Sequence, residues 1–211
     1  MNYRLPQTLT VNGREEPIRW EYTAVLDAIA ALNDGDLEDS EKVLAFLWII
    51  YENFEHFNRE DYAPAFEAAM NFVNNDLDEQ KKDNIKMVDF EQDFRLIVSA
   101  INRVSGKEIR DEDDVHWWTF LSWFMEIGEC TYSTVLSIRS KRAKGKKLEP
   151  WEKEFFEENK DIVLLHPKLT AEEPIDKMAR SRQSSSRGIS LKSFLLKLPV
   201  IFRFEWYTTT S

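Results

Sequence analysis

The residues of this chain that could bind a metal are three carboxylates close together in sequence and one histidine further along. The carboxylates are Asp89, Glu91 and Asp93, and the histidine is His116. Carboxylate and imidazole groups bind divalent ions that activate water, so these four side chains raise the alternative of a metal-dependent hydrolase. The carboxylates also fit a helix N-terminus, where Asp89 and Gln92 have the spacing of a capping box and negative charge is favourable. The second interpretation is simpler, and we expect no metal site.

No other set of residues has the spacing of a reacting centre. The sequence contains no His-Glu-x-x-His, no Cys-x-x-Cys and no glycine-rich phosphate loop. Its single cysteine, Cys130, fits a reducing cytoplasm and is expected to be an ordinary small residue rather than a nucleophile. A lone histidine such as His116 is expected at the edge of the core, held by hydrogen bonds. We predict that the protein is not an enzyme, with no catalytic residues and no cofactor.

A run of positive charge could contact nucleic acid. It contains six basic residues, namely Arg139, Lys141, Arg142, Lys144, Lys146 and Lys147. A basic patch is the usual electrostatic footprint of nucleic-acid binding, which makes this the first alternative function. The opposing interpretation is that cations near a helix C-terminus complement the helix dipole and pair with the acids that follow, among them Glu152. The acidic balance of the chain favours the second, and we do not expect nucleic acid as a partner.

An aromatic helix precedes the basic run, over residues 117–127. At about 100° per residue its apolar side chains cover an arc of roughly 220°. Such a helix is either central in a bundle or half core and half docking surface, and for any single residue the core is the favoured interpretation. The candidate protein-binding residues are His116, Trp117, Phe120, Trp123, Phe124 and Ile127.

The elements that would position these residues are mainly helical. Residues 5–20 predict a β-hairpin around the turn Asn12-Gly13, with strands at 8–11 and 18–20. Apolar spacing then predicts helices over 22–32, from Ser40 to about 57, and from 58 to 73, followed by a loop over 74–82. One further helix follows the turn at 89–92, and another begins at Thr131. A last helix begins at Pro150, and its docking residues are Trp151, Phe155 and Phe156. We predict a mainly α fold with a small N-terminal hairpin.

Charge divides the chain into two parts. Residues 1–176 hold 21 basic and 37 acidic residues, a net charge of −16, whereas residues 177–211 hold seven basic residues and one acid. We expect one helical domain over 1–176 and a basic, linker-like and apolar tail over 177–211, poorly ordered and not a separate domain. No uncharged apolar run approaches the ~20 residues of a membrane span, and the N-terminus lacks the pattern of a signal peptide.

Three groups of residues carry a family resemblance. They are Asp89–Asp93 (DFEQD), then His116, Trp117, Trp118 and Phe120, then Ile138 and Arg139 followed by KGKKL at 144–148 and by Glu152 and Lys153. In this order and spacing they resemble a bacteriophage family catalogued as gene product fifteen, found in tailed phages and prophages of Gram-positive bacteria. The resemblance covers about residues 3–165. The tail departs from it, and both a frameshift extension and a translated remnant of another frame remain open.

The resemblance implies a tail-assembly chaperone, because genes of this family usually lie near the tape-measure gene. It implies the tape-measure protein as partner, with the tail-tube protein as a second candidate, and leaves an oligomer open. It further implies action in the cytoplasm of the bacterial host and absence from the mature virion. The family names no catalytic residues, so none are carried over.

Overall fold

The structure is a computed structural model, and it describes residues 4–75 and 87–166. The described residues form a two-stranded antiparallel hairpin and eight α-helices, which confirms the predicted fold class. The bounds are β1 Thr8–Val11, β2 Arg14–Pro17, α1 Tyr22–Leu32, α2 Asp39–Ile50, α3 Tyr62–Val73, α4 Phe94–Ser105, α5 Trp117–Met125, α6 Thr131–Ala143, α7 Pro150–Glu158 and α8 Lys160–Val163. The predicted tail and most of the predicted 74–82 loop lie outside the described residues.

The hairpin has the predicted turn but a different second strand. Asn12 and Gly13 have φ angles of 50° and 79°, as a two-residue hairpin turn requires, and β2 pairs with β1 directly after them. The expected strand at 18–20 is wrong. The backbone N–H of Ile18 still donates to the carbonyl of Gln7 at 3.1 Å, but Ile18 also forms a bridge with Tyr51 after α2. The pairing with β1 ends there, because the next backbone N–H, that of Arg19, donates to the carbonyl of Ile50 at 2.8 Å.

Asp61 fastens the hairpin to α3. Its carboxylate accepts hydrogen bonds from Asn12 Nδ2 (2.8 Å) and from the backbone N–H of Asn58 (3.0 Å), and it forms an ion pair with Arg14 (3.0 Å). These three donors hold the pKa of Asp61 below its usual value, with the Asn58 backbone bond as the largest cause. The predicted start of α3 at residue 58 is therefore too early, and the helix begins at Tyr62.

Helix α2 is shorter than predicted at its C-terminal end. It begins with a capping box between Glu38 and Glu41 and ends at Ile50, whereas the apolar run in the sequence continues to residue 57. The guanidinium group of Arg19 donates to the carbonyls of Trp48, Ile49 and Tyr51 at 2.9–3.1 Å. This side chain satisfies the carbonyls that a helix end leaves open, and it does so from a distant part of the chain.

The turn before α4 is capped differently from the prediction. The carboxylate of Asp89 accepts from the backbone N–H groups of Glu91 and Gln92, and Asp93 accepts from the N–H of Asp89. Asp93 thus makes the capping bond back to Asp89 that the sequence assigned to Gln92. The side chain of Gln92 instead bonds the backbone of Leu164 and His166.

Most buried apolar residues form one core, which runs from β1 to the first turn of α6. A smaller cluster of Val135, Ile138 and Val163 joins α6 to α8. Phe155 and Phe156 pack against that cluster, as expected, but Trp151 is 56% exposed and does not dock α7. The N-cap of α6 is Cys130 rather than Thr131. Among the described residues, no helix combines the length and the apolar character needed to cross a membrane.

Candidate protein-binding site

His116 is the N-cap of the aromatic helix α5. Its Nδ1 atom accepts a hydrogen bond from the backbone N–H of Trp118 at 3.0 Å, which satisfies one of the open donors at the helix start. Because Nδ1 accepts, Nε2 carries the hydrogen and donates to the carbonyl of Pro6 at 2.8 Å. One neutral imidazole therefore joins the N-terminal arm to α5.

The imidazole of His116 is enclosed by aromatic rings. It stacks on Trp20 with a centroid separation of 5.5 Å and meets Phe72 edge-on at 5.8 Å, and the residue is 5% exposed. Burial lowers the pKa of His116, and the Pro6 carbonyl and the nearby charge of Glu21 only partly oppose that shift. The surroundings favour the neutral ring, which the two hydrogen bonds require.

Trp117 and Trp118 fix α5 to the end of α3. The Nε1 atom of Trp117 donates to the carbonyl of Val73 and that of Trp118 donates to the carbonyl of Phe72, both at 2.8 Å. These carbonyls lie in the last turn of α3, where a helix end leaves carbonyls open to outside donors, and the carbonyl of Phe72 also accepts from the backbone N–H of Asn75 at 3.0 Å. We call this arrangement the His116 junction, consisting of His116, Trp117 and Trp118 with Pro6, Trp20, Phe72 and Val73.

The predicted binding residues of α5 divide into buried and half-buried groups. Trp117 and Phe120 are fully buried, and their rings stack at 5.4 Å while Phe120 also stacks on Tyr22 at 4.9 Å. With His116 also buried, three of the six residues present no side chain at the surface of the described chain. His116, Trp117 and Phe120 are therefore residues of the core. That they contact a partner stays a prediction.

Trp123, Phe124 and Ile127 are the half-buried group, which we call the outer α5 surface. Phe124 contacts the core through Tyr132, with 6.0 Å between ring centroids, whereas the ring of Trp123 has the ammonium group of Lys107 at 5.8 Å. Met125, on the opposite flank of the helix end, is 66% exposed. Apolar surface is therefore accessible at the C-terminal end of α5, in the second half of the predicted arc.

Arg139, the first member of the basic run, is buried and not part of a surface patch. Its guanidinium group forms two hydrogen bonds with Asp93, at 2.7 and 2.8 Å. The remaining donors reach the carbonyls of Met87, Ile162 and Val163 at 2.7–2.8 Å. All five N–H donors of the arginine thus have acceptors. We call this the Arg139 junction, consisting of Arg139, Asp93, Met87, Ile162 and Val163.

Two further members of the basic run also pair within the chain. Lys141 bonds both carboxylate oxygens of Glu152, at 2.6 and 2.8 Å, and these bonds are the largest cause of the lowered pKa of Glu152. The guanidinium carbon of Arg142 lies 4.1 Å from the centroid of the Phe156 ring. Three of the six predicted patch residues thus have partners within the chain. The exposed members beyond Arg142 are Lys144, Lys146 and Lys147.

The residues of the hydrolase alternative have structural partners. Asp89 and Asp93 accept the turn hydrogen bonds described above, Asp93 also binds Arg139, and His116 binds Pro6. Within residues 4–75 and 87–166, no three His, Cys, Asp or Glu side chains are arranged to hold a metal ion.

A groove that the sequence did not predict lies between α1 and the turn before α4. Its volume is about 560 Å³. The apolar part of its lining is Tyr22, Leu26, Ile29, Ala30, Ala31, Phe90 and Phe94, and its carboxylates are Asp27, Asp34, Asp89 and Glu91. Local sequence shows only that acids flank an apolar stripe on α1, and nothing local places Phe90 opposite that stripe.

The comparisons with known proteins give one family. The model of the family described as Bacteriophage Gp15 protein matches residues 1–165 of this chain. No curated protein and no solved structure matches. The match spans the hairpin, both junctions and the eight helices that the described residues form. The chain therefore belongs to the Bacteriophage Gp15 protein family, which indicates a structural or accessory protein of a phage.

Proposed function

We propose that this protein is a tail-assembly chaperone that binds the phage tape-measure protein during tail morphogenesis. It acts in the cytoplasm of a Gram-positive host and does not enter the mature virion, and the tail-tube protein displaces it from its client. Family membership supports a phage role. The tape measure is proposed as client because genes of the family that the sequence resembles usually lie near the tape-measure gene.

The client explains why an acidic helical partner is useful. A long helical protein exposes apolar stripes to water until the tube forms around it, and such stripes promote aggregation. A partner that covers them by helix-in-groove docking keeps the client soluble. The net charge of −16 over residues 1–176 then makes coated clients repel one another.

The observation that carries the proposal is the outer α5 surface. Trp123, Phe124 and Ile127 are aromatic or aliphatic, yet the core of the described chain covers them only in part. Large apolar side chains of this kind are the usual energetic anchors of protein interfaces. A coat that must later be removed needs contacts of modest area, and a small half-buried surface meets that need.

Co-expression with the neighbouring tape-measure gene tests the proposal. We expect the tape measure to move into the soluble fraction and to co-purify with this protein. If the tape measure is equally insoluble with and without it, and no complex survives affinity purification, the proposal is wrong.

Two substitutions at the end of α5 then test the surface. Trp123→Glu introduces a charge into the outer α5 surface, and Met125→Glu introduces the same charge on the exposed opposite flank. We expect Trp123→Glu to abolish co-purification while it keeps the wild-type circular dichroism spectrum, and Met125→Glu to retain binding. Unfolding of Trp123→Glu would show that Trp123 is a core residue, and the outer α5 surface would be rejected as the binding site.

Nucleic-acid binding is the second candidate, and the exposed lysines at 144, 146 and 147 favour it. The pairing of Arg139, Lys141 and Arg142 inside the chain weakens it. A gel shift with duplex and single-stranded DNA decides between the two. Binding that survives moderate salt would favour nucleic acid, and the absence of a shift at low salt would end this alternative.

A further inference from the structure

The groove between α1 and the Phe90 turn has an apolar lining bordered by negative charge. Leu26, Ile29 and Phe90 contribute to the apolar part. Among the described residues that line it there are four carboxylates and no lysine or arginine. A ligand that fits both properties is an apolar segment that carries a few positive charges.

The described chain ends against the turn that forms one side of this groove. The side chain of Gln92 donates to the carbonyl of Leu164 at 2.6 Å and accepts from the backbone N–H of His166 at 3.0 Å. Gln92 directly follows Glu91, which lines the groove. Residue 166 is therefore held against the turn that forms one side of the groove, and the remainder of the chain continues from that point.

The remaining chain contains a segment of the complementary composition. Residues 191–207, LKSFLLKLPVIFRFEWY, contain eleven aliphatic or aromatic side chains together with Lys192, Lys197 and Arg203, against the single acid Glu205. Residues 167–190 separate this segment from His166, and a chain of that length reaches up to about 80 Å. The connection therefore does not prevent residues 191–207 from reaching a groove that lies beside residue 166.

We propose that the groove between α1 and the Phe90 turn binds residues 191–207 of the same chain. The apolar side chains of the segment cover the lining of the groove, and its three cations face the four carboxylates. Because the segment is tethered beside its site, its effective concentration is of the order of millimolar, so a weak intrinsic affinity suffices. The contact removes from water an apolar segment that would otherwise promote aggregation. This inference does not depend on the identity of the client.

Carbodiimide cross-linking of the full chain tests the contact, because it joins lysine amines to carboxylates that lie in direct contact. Mixing chains of natural and heavy nitrogen content separates links within a chain from links between chains in the mass spectrum. We expect links within single chains from Lys192 or Lys197 to Asp27, Asp34, Asp89 or Glu91. Links from these lysines only to other positions, only between differently labelled chains, or no links at all would overturn the proposal.

Charge reversal provides the matched control. Asp27→Lys combined with Glu91→Lys changes two exposed side chains of the groove, and we expect the links to be lost while the circular dichroism spectrum is unchanged. Adding Lys192→Glu and Lys197→Glu should restore links between the same positions, and failure to restore them would contradict the proposal. Glu154→Lys with Glu158→Lys reverses two exposed acids of α7 and should leave the links intact.

Discussion

The His116 junction and the Arg139 junction both join segments that lie far apart along the chain, but they use different chemistry. A neutral imidazole joins Pro6 to α5 with two hydrogen bonds and aromatic packing. A charged guanidinium joins α6 to Asp93 and to two other segments with five hydrogen bonds. The His116 junction depends on the protonation state of the imidazole and on the aromatic rings that pack against it. The charged junction depends on being complete, because a buried charge without its partner is costly.

The largest expected effect is at the charged junction. Arg139→Met keeps much of the apolar stem but removes the charge and all five donors, and it leaves Asp93 buried without its cation. We expect the free energy of unfolding to fall by about 3–5 kcal/mol. Urea denaturation followed by circular dichroism measures this. A loss below about 1 kcal/mol would show that the Arg139 junction contributes little to stability.

The neutral junction should be less sensitive. His116→Ala removes the acceptor for the Trp118 N–H and the donor for Pro6, with an expected loss of about 1–3 kcal/mol. His116→Asn keeps a side-chain acceptor at the N-cap and should recover about 1 kcal/mol of that loss. If the two variants are equally unstable in the same urea measurement, capping is not what His116 contributes.

The pH dependence separates the junctions further. The folded-state pKa of His116 lies below its unfolded value, so the unfolded chain binds more protons as acid is added. Stability should therefore fall as the pH drops through the unfolded histidine value near 6.5, and this loss is complete below the folded value. Thermal denaturation at pH 7.5, 6.5 and 5.5 should show a decline in wild type and a flatter profile in His116→Asn. The other two histidines, His56 and His166, are exposed. Equal slopes of thermal stability against pH in the two proteins would contradict a role for His116 in the pH dependence.

The smallest effect is expected at the end of the basic run. Lys147 is exposed, and Lys147→Ser should change the free energy of unfolding by no more than about 0.5 kcal/mol. Lys141→Ser should cost more, because it removes the cation bonded to the buried carboxylate of Glu152. The order Arg139, Lys141, Lys147 in urea denaturation would show that neighbouring cations in one run have different roles. Equal losses of stability at the three positions would instead indicate that all three cations belong to one surface patch.

Local signals in the sequence predicted the elements well. The Asn12-Gly13 turn and the start of α7 at Pro150 were each predicted correctly, because a turn or a helix end depends on a few adjacent residues. The same holds for the apolar stripes of α1 and α3, whose residues recur at helical spacing.

Features that depend on distant residues were not predictable. The end of α2 depends on Arg19, and the burial of Arg139 depends on Asp93, which is 46 positions away. Sequence spacing also assigned Gln92 to a local cap, although its partners are at the other end of the described chain. For α5, the arc showed which residues were apolar, but the packing of α4 and α1 against this helix determines which of them the core covers.

Asp93 and Arg139 belong to two of the three residue groups that carry the family resemblance. A double-mutant cycle on this pair tests most directly that these groups build the fold. The cycle compares Asp93→Ala, Arg139→Met and the combined variant by urea denaturation. If the two side chains form one buried unit, the combined variant is little less stable than Arg139→Met alone, and the coupling energy is about 2–3 kcal/mol. Costs that add within about 0.5 kcal/mol would contradict the account, because independent residues could not form the Arg139 junction.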